Sequence, residues 1–551
     1  MRKCVIIGSG LGGLSCGVIL AKNGYEVTVL EQSAQIGGCL QCFYRDNVTF
    51  DTGMHYIGSA DEGQTLNIIM NYLGISSDIE LSRLDPMGYD VISYLGEHYR
   101  FANGRENFIN ALAEHFPENR DEIAKYYDLM KLVSSSSAMH SLNKDVDIDI
   151  NAEYKMKSVN EVLDSIITGS DKAFRLRQVL AGMQPLYAGI KDHTPFSVHA
   201  LIHDCFNQSA FRIVGGSSKV AASLAKSIQQ KGGKVLPNQR VTKIECSDSS
   251  SPQATAVITS SGDRYPADLV ISAIHPASTM RMTDSRFIRP YFLKRLEKAP
   301  NTPSVFVVYL KFKKNRVRYM NHNLYYYRGD TTWGCEQYDD FCPWRESDKT
   351  LSNCLSPQTT DSRPWRESDK TLSNCLSPQT TDNSWPKFLL YMHFCHASHK
   401  EMITANAEYA ESGKILSYMN YADVKPWEGT HVGQRGDSYE EFKRRKAEQL
   451  IDALAEEIPD IRQNIESYYT STPLTYLDYT GIPEGAMYGM AKDISAIGVK
   501  NVSCKTNIPN LLLTGQSITS HGMFGVLAGS LITCSEVLTQ EEILKQLRNE
   551  R

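Results

Sequence analysis

The first forty residues constrain the fold of this chain more than any other stretch. Residues 5–7 form a short apolar, β-branched run that predicts a buried strand, and Gly8, Gly10 and Gly13 follow at G-x-G-x-x-G spacing. In such a turn the first glycine permits a tight bend, and the second lets the backbone approach a pyrophosphate. The third lets the next helix pack closely on the strand. The pattern predicts a βαβ unit with a dinucleotide at the helix N-terminus.

The residues after this turn supply the context that the glycine pattern needs. A predicted helix over 14–23 ends at Gly24, and a predicted strand over 26–30 leads into Glu31. An acidic side chain near this offset accepts hydrogen bonds from the adenosine ribose. The pair Gly37–Gly38 then lets the backbone pass close to a diphosphate or a flavin. These features together predict an adenine dinucleotide site.

Length, charge and cysteine usage limit the class of protein. A chain of 551 residues predicts two closely joined domains, or three, and a net charge of -5 leaves no basic stripe for nucleic acid. Thirteen cysteines without a pairing framework indicate a reducing compartment, so we expect a cytoplasmic protein. No run approaches the ~20 apolar residues of a membrane span, although a peripheral membrane contact stays open.

Several motifs together resemble those of a known flavoprotein group. The chain resembles the FAD-dependent phytoene desaturase, carotenoid isomerase and retinol saturase group, within the amine-oxidase-like flavoproteins. The resemblance is carried by the glycine turn at 8–13, Glu31, Gly37–Gly38 and the segments 50–56 and 273–277. Cys39 departs from the group, in which an arginine often follows the glycine pair.

The resemblance implies an α/β fold with two interleaved parts. A Rossmann-like FAD-binding domain of the glutathione-reductase and amine-oxidase type would be interrupted by an α+β substrate domain. The expected FAD-binding parts are 1–80, 208–278 and 482–551, and the substrate parts are 81–207 and 279–481. Within them the patterns predict helices over 66–73, 109–115, 218–230, 439–458 and 527–538, and strands over 211–214, 234–236, 268–273, 304–311, 324–327 and 511–513.

The resemblance also implies which residues contact the FAD. The backbone of Val241 would face the adenine, and the terminal loop and helix would bind the diphosphate and back the flavin ring. The expected cofactor residues are Gly8, Gly10, Leu11, Gly12, Gly13, Glu31, Gln32, Gly38, Gly53, Met54, Val241, Gly515, Gln516, Met523 and Val526.

The implied chemistry acts on a carbon–carbon double bond of an apolar polyene or isoprenoid, by saturation, desaturation or isomerisation. His521, His55 and Tyr56 are the candidates for the proton relay, because they lie in the two segments expected nearest the flavin. No second glycine fingerprint follows a strand, so a built-in NAD(P) domain is not expected. A nicotinamide or another electron carrier that visits the flavin transiently stays open.

Three other readings compete with this one. Cys39 and Cys42 at C-x-x-C spacing would suit a flavin–dithiol reductase, although such enzymes use a wider spacing and a second glycine fingerprint. An amine oxidase would need an aromatic pair near the terminal loop, where only Phe524 occurs between 515 and 526. A flavin-bearing scaffold is the third reading.

Two further features of the sequence receive no functional assignment. Residues 343–361 recur identically at 364–382, and two copies are too few for a solenoid, so an exposed loop is expected. His193, His199 and His203 are loosely spaced, which predicts a structural role, and no spacing typical of metal ligands occurs.

Overall fold

The computed structural model describes residues 1–137, 141–142, 148–169, 171–333, 385–394, 408–494 and 502–550. Its strands are Lys3–Ile7 (β1), Glu26–Leu30 (β2), Cys42–Arg45 (β3), Val48–Asp51 (β4), Ile57–Gly58 (β5), Leu81–Arg83 (β6), Asp90–Tyr94 (β7), Glu97–Phe101 (β8), Ala210–Ile213 (β9), Lys234–Leu236 (β10), Val241–Cys246 (β11), Ala254–Thr259 (β12), Arg264–Pro266 (β13), Leu269–Ser272 (β14), Thr283–Asp284 (β15), Ser304–Phe312 (β16), Val317–Arg318 (β17), Asn323–Tyr327 (β18), Phe388–Phe394 (β19), Tyr409–Ala410 (β20), Ser412–Met419 (β21), Ile465–Ser471 (β22) and Leu511–Leu513 (β23).

Helices of very different length accompany these strands. They are Leu11–Lys22 (α1), Thr65–Leu73 (α2), Arg105–Ala113 (α3), Arg120–Ser135 (α4), Ile148–Lys155 (α5), Val159–Ile166 (α6), Asp171–Ala181 (α7), Phe196–Gln208 (α8), Ser218–Gln230 (α9), Pro276–Met282 (α10), Pro290–Lys298 (α11), Asp437–Glu457 (α12), Ile461–Asn464 (α13), Pro473–Thr480 (α14), Gly522–Cys534 (α15) and Gln540–Arg548 (α16).

A five-stranded parallel sheet collects strands from distant parts of the chain. Its order is β10-β2-β1-β14-β23, and every neighbouring pair is parallel. Strand β1 lies at the centre, and its residues 4–7 are buried because helices cover the sheet. Helices α1 and α15 pack against each other beside it. The carboxyl ends of β1, β2, β14 and β23 therefore meet at one edge of the sheet.

A seven-stranded mixed sheet forms the other large layer, in the order β22-β16-β21-β19-β18-β7-β8. Strand β16 is buried on both faces, because its alternate residues enter two different cores. Phe306 and Val308 pack with helix α12, whereas Val305 and Val307 pack with the helices around α4 and α8. Because both faces of β16 are buried, its sequence is nearly all apolar, whereas a strand with one face in solvent would alternate apolar and polar residues.

Both glycine-rich helices begin earlier than the sequence predicts. Helix α1 begins at Leu11 rather than at residue 14, and α15 begins at Gly522 and ends at Cys534 rather than spanning 527–538. The expected helix starts were wrong because glycine in a sequence favours a loop, whereas here glycines occupy the first turn of each helix. At Gly12, a Cβ would lie 3.1 Å from Gly515 Cα, so close packing requires a glycine within the helix.

Strand β9 does not extend the parallel sheet, although 211–214 was expected to resume the cofactor part. It pairs antiparallel with β5 and β6 in a separate three-stranded sheet. Strand β10 occupies the position beside β2 instead, so β9 is excluded from that edge. The helix expected over 109–115 likewise lies earlier, at Arg105–Ala113.

Two expectations from the sequence concern membrane spans and the duplicated segments. None of its helices is both long and apolar enough to cross a membrane. The duplicated segments 343–361 and 364–382 lie outside the described residues.

Truncation of the central parallel strand should destabilise the whole protein. Ile6 is fully buried in β1, so Ile6→Ala is expected to lower the free energy of unfolding by about 2–5 kcal/mol. Leu132→Ala is the matched control, because Leu132 is 51% exposed on α4 and its truncation should cost within about 0.5 kcal/mol. Urea unfolding followed by circular dichroism measures both, and equal losses would contradict the assignment of β1 to the core.

Candidate active site

One elongated cavity of about 530 Å³ opens at the carboxyl edge of the parallel sheet. The last residues of its strands or those just after them, including Ile7, Leu30, Ala273 and Thr514, line one side. Residues of the mixed sheet, including Val305, Leu390 and Leu416, line the far end. This position, outside the carboxyl ends of parallel strands, is where open α/β sheets bind their ligands.

The first glycine turn forms one wall of the cavity. Gly8 has φ +95°, a conformation that favours glycine, and its N–H donates to the Leu30 carbonyl oxygen over 2.8 Å. Gly10 is the N-cap of α1 and supplies no side-chain cap, so the first N–H groups of the helix face the cavity. A Cβ at Gly10 would meet no atom within 4 Å, which leaves a cradle there for a ligand. The arrangement suits an anionic pyrophosphate.

The terminal loop and the start of α15 form the adjoining part of the wall, next to Gly12 of α1. Gly515 has φ +102°, and residues 522–526 at the start of α15 line the cavity. Two helix N-termini thus point at one space from opposite ends of the chain. The half-buried Lys492 holds the loop, because its Nζ donates to the carbonyl oxygens of Ser517 (2.9 Å) and Ile518 (3.0 Å). Burial lowers the pKa of Lys492 to about 8.

Glu31 lies at the nucleotide end of the cavity. Its Oε2 accepts hydrogen bonds from the N–H (2.9 Å) and Oγ (2.7 Å) of Ser9, and its Oε1 accepts from the N–H of Ser33 (2.9 Å). A carboxylate offers about four lone-pair positions, so one remains for a ribose hydroxyl. The internal bonds hold the carboxylate still and pin the glycine turn to the end of β2.

Most of the expected cofactor residues line this one cavity. They are Gly8, Gly10, Leu11, Gly12, Glu31, Gln32, Gly38, Gly53, Met54, Val241, Gly515, Gln516, Met523 and Val526. Gly13 is the exception, because a Cβ there would lie 2.0 Å from the carbonyl oxygen of Gly8. Its role in this structure is the close packing of α1 on the turn. The residues present therefore fit a flavin dinucleotide.

The far end of the cavity is apolar. Its lining is Pro185, Leu186, Ile202, Phe206, Val305, Leu390, Leu416, Tyr476, Met487 and Tyr488, together with the three proton-relay candidates. Glu31 and Arg240 are the carboxylate and guanidinium that line the cavity in the described part of the chain, and both belong to the nucleotide end. A substrate at the far end would contact hydrocarbon and aromatic surface.

His55 contacts a lysine that no sequence motif indicates. Its Nδ1 lies 2.9 Å from Nζ of the buried Lys414, which also donates to the Asp51 carbonyl oxygen. Burial, followed by the charges of Lys414 and Arg212, holds the pKa of His55 well below its usual range, so the imidazole is neutral. Since Lys414 donates to Nδ1, the ring hydrogen of His55 lies on Nε2.

The Tyr56 hydroxyl belongs to a buried polar network. It donates to Oδ2 of Asp90 over 2.9 Å and lies 2.6 Å from the hydroxyl of Tyr325. Asn323 donates to the other Asp90 oxygen over 2.7 Å. Burial raises the pKa of Asp90 to about 7, although the bonds from Asn323 and Tyr56 lower it. The Tyr56 ring lines the cavity, but its hydroxyl is committed to this network.

His521 is the N-cap residue of α15 and is buried against Tyr488, with ring centroids 4.3 Å apart. Its Nε2 donates to the Leu186 carbonyl oxygen over 3.1 Å, since a carbonyl can only accept. Burial, followed by the charge of Lys492, lowers the pKa of His521 to about 3. The neutral ring thus has Nδ1 as an acceptor and has already used its N–H.

The two thiols of the C-x-x-C segment are free and protonated near neutral pH. Burial raises the pKa of Cys39 to about 11, and burial with the Asp51 charge raises that of Cys42 to about 11. The Cys42 thiol donates to Asp51 Oδ1 over 3.1 Å. Because the thiolate is the reactive form, these cysteines are poor candidates for redox chemistry.

Lys414, Lys492, Tyr476 and Tyr488 are site residues that sequence reasoning missed. None lies in a glycine motif, and Lys414 is 359 residues from the histidine it contacts. A lysine inside the apolar run 412–419 was the one available signal, because a charged residue is rarely fully buried without a partner. Tyr476 and Tyr488 also lie outside residues 515–526, the terminal loop beside which an amine oxidase is expected to place its aromatic pair.

The sequence profile of the flavin-containing amine oxidoreductases matches residues 11–341. The chain belongs to this family. The resemblance drawn from its motifs and the α/β fold class are thereby confirmed, and the cofactor that the family implies is a flavin.

Several curated proteins are similar over much or all of the chain. Human all-trans-retinol 13,14-reductase is 27% identical over 577 aligned positions, which cover 99% of this chain and 87% of that protein. Prolycopene isomerase 2, chloroplastic, of an Oncidium hybrid cultivar is 28% identical and covers 49% of this chain and 47% of its own. A 4,4'-diapolycopen-4-al dehydrogenase of Metabacillus indicus is 26% identical, with 52% and 59% covered.

Solved structures share the fold at low identity. An oxidoreductase from Methanosarcina mazei superposes with a TM-score of 0.59 at 15% identity, over 97% of this chain and 100% of that one. Cyclohexylamine oxidase from Brevibacterium oxydans gives a TM-score of 0.54 at 14% identity, over 99% of both chains. At such identities the likeness shows the fold alone.

The two glycines of the turn should separate cofactor binding from folding. Gly13→Ala is expected to lower the free energy of unfolding by about 1–3 kcal/mol or more, because its Cβ would collide with Gly8. Gly10→Ala should change it by less than about 1 kcal/mol but reduce flavin content, because its Cβ would fill the cradle. Flavin absorbance per chain and urea unfolding of flavin-free protein measure the two effects. Normal flavin content in Gly10→Ala would contradict the assignment.

The raised pKa values of the two thiols predict that one absorption band, the thiolate–flavin charge-transfer band, is missing from the flavin spectrum. Titration from about pH 7 to about pH 10 is expected to show no thiolate–flavin charge-transfer band, because both thiols stay protonated. Cys42→Ser is the control and should give a superimposable spectrum. A band near neutral pH that disappears in Cys42→Ser would favour the dithiol reductase.

Proposed function

We propose that this protein is an FAD-dependent oxidoreductase that acts on a carbon–carbon double bond of an apolar polyene or isoprenoid. The observation that carries the proposal is the uncharged, apolar far end of a cavity whose other end is built from two glycine-rich helix N-termini. The names of the relatives support it, since a retinol 13,14-reductase, a prolycopene isomerase and a diapolycopenal dehydrogenase all have polyene substrates.

FAD, rather than a smaller flavin, is proposed for the nucleotide end. Glu31 would accept from the ribose, the backbone of Val241 would face the adenine, and the N–H groups at the start of α1 would bind the diphosphate. The segment from Gly515 to Val526 would back the ring. When bound, the flavin supplies hydride transfer to or from a carbon atom.

The protein's own groups would orient the polyene, exclude water and handle a proton. We assign the proton transfer to Nε2 of His55, in either direction of the reaction. Tyr56 is less suited because its hydroxyl donates to Asp90, and His521 because its N–H donates to Leu186. The apolar lining would hold one double bond beside the ring by contact alone.

The electron partner and the compartment are further proposals. A nicotinamide or another soluble carrier would reach the flavin transiently. The free cysteines of the described residues suit a reducing compartment such as the cytoplasm, with a peripheral membrane contact as the source of an apolar substrate.

The test is anaerobic single turnover with the flavin-loaded protein. Reduced protein is mixed with all-trans-retinol or a carotene. Flavin reoxidation is followed by absorbance, and the molecular mass of the product is determined by mass spectrometry. A gain of two hydrogens is expected for a saturase, and an unchanged mass with altered polyene geometry for an isomerase. His55→Gln should slow the saturase reaction by about 10²-fold or more.

The amine oxidase reading is tested in the same apparatus. Tyr476 and Tyr488 line the far end, and an aromatic pair there is what an amine substrate would need. Oxidised protein is therefore mixed with cyclohexylamine and with putrescine. Bleaching by an amine, with no response of the reduced flavin to either polyene, would overturn the proposed function.

A further inference from the structure

Lys414 is a lysine buried inside the mixed sheet. It lies on β21 and is 1% exposed, and it faces Tyr309 of β16 and Met392 of β19 in the register of the sheet. Leu416, two residues later on the same face of the strand, lines the cavity. Lys414 is thus placed behind the apolar wall, and its Nζ reaches His55, which lines the cavity itself.

The charged and titratable groups around Lys414 come from several elements. From β16, the ring centroid of Tyr309 lies 5.3 Å from Nζ. Asp51 and Cys42 approach from the β3–β4 hairpin, Arg212 from β9, and His55 from the loop that follows β4. The Asp51 carboxylate is held by the N–H and Oγ of Ser217, both 2.7 Å away. Burial lowers the pKa of Lys414 to about 8, Asp51 and Cys42 raise it, and Arg212 lowers it.

A neutral imidazole N–H is by itself a weak acid toward carbon. The low pKa of His55 excludes a resting imidazolium near neutral pH, so His55 needs a second group to deliver a proton. Lys414 donates to the ring nitrogen on the opposite side from Nε2. A lysine ammonium that titrates near neutral pH is matched to this task.

We propose that Lys414 is a positioning residue for His55, which holds the Nε2–H tautomer and supplies the proton that His55 passes to the substrate. The inference rests on the proposed function. As the Nε2–H bond breaks and a C–H bond forms, His55 Nδ1 takes a proton from Nζ, which becomes a neutral amine. The neighbouring C–H bond takes its hydrogen and its electron pair from the hydride that a reduced flavin would supply. When the product leaves, Nε2 takes up one proton from the solvent as Nδ1 returns its proton to Nζ, so that the imidazole stays neutral and Lys414 is again an ammonium.

Two substitutions separate the two parts of this role. Lys414→Met removes both the hydrogen bond to Nδ1 and the proton, whereas Lys414→Arg keeps a donor that cannot be deprotonated in proteins. Both should bind flavin and fold, which flavin content and urea unfolding check. Lys311→Met, in the same sheet but in a surface ion pair with Glu466, is the matched control.

The kinetic readout is the pH dependence of polyene-driven flavin reoxidation, with dithionite-reduced protein and all-trans-retinol. In the wild type the rate should fall as pH rises through about 8, because Lys414 loses its proton. In Lys414→Met and Lys414→Arg it should be lower by about 10-fold or more near neutral pH, without this alkaline limb. Lys311→Met should retain both the rate and the limb.

The second readout does not need activity. In flavin-free protein labelled with ¹⁵N-histidine, the His55 resonances, assigned by their loss in His55→Gln, should show the Nε2–H tautomer. Lys414→Arg should preserve that tautomer, and Lys414→Met should give a mixture of the Nε2–H and Nδ1–H tautomers. In Lys414→Met, a wild-type rate with its alkaline limb, or the Nε2–H tautomer unchanged, would overturn the proposal. If neither retinol nor carotene reoxidises the reduced wild-type flavin, the proposed function is wrong. The tautomer comparison then still decides whether Lys414 fixes the tautomer of His55.

Discussion

The structure depends on the close approach of two helices from opposite ends of the chain. Gly12 in α1 packs on Gly515 in the loop before α15 so closely that an added Cβ would lie 3.1 Å from the Gly515 Cα, and the Ser530 hydroxyl on α15 lies 3.3 Å from the Gly12 carbonyl oxygen. This contact sets the N-termini of α1 and α15 side by side. A single anionic ligand can then use both helix dipoles, whereas either helix alone would offer half a site.

The far end of the cavity is built from apolar side chains rather than from helix N-termini. Apolar side chains from the mixed sheet line it, and the polar atoms of the three proton-relay candidates are hydrogen-bonded to residues around the lining. The Asp90 carboxylate accepts a hydrogen bond from the Tyr56 hydroxyl, and the Leu186 carbonyl oxygen accepts one from the His521 ring. The Lys414 ammonium donates to Nδ1 of His55. Burial keeps both histidines neutral, so charge enters this end through the lysine behind the wall rather than through the lining.

The same geometry bears on the competing readings. The C-x-x-C thiols lie near the cofactor cavity but are kept protonated by burial and, for Cys42, by Asp51, so spacing alone was a misleading signal. The amine oxidase reading shares the family and the fold, and Tyr476 and Tyr488 give it the aromatic surface that the terminal loop lacks. The carboxylate that an ammonium substrate would favour is absent from the far end among the described residues; Glu31 lies at the other.

The sequence by itself determined the cofactor half of this protein. Glycine spacing, the acid after β2 and the terminal loop are local signals, since each reports a backbone conformation that few residues permit. They predicted the α/β class, and all but one of the residues expected to contact the cofactor line the cavity. Helix starts were missed because a glycine inside a helix is explained by its neighbour across the interface, as Gly12 is by Gly515. Only the tertiary structure decided the chemistry of the far end, because burial and partners, not residue type, set the proton states of His55, Tyr56 and His521. Lys414 lies far from His55 along the chain, and only the packing of β21 against the loop after β4 brings its Nζ to that ring.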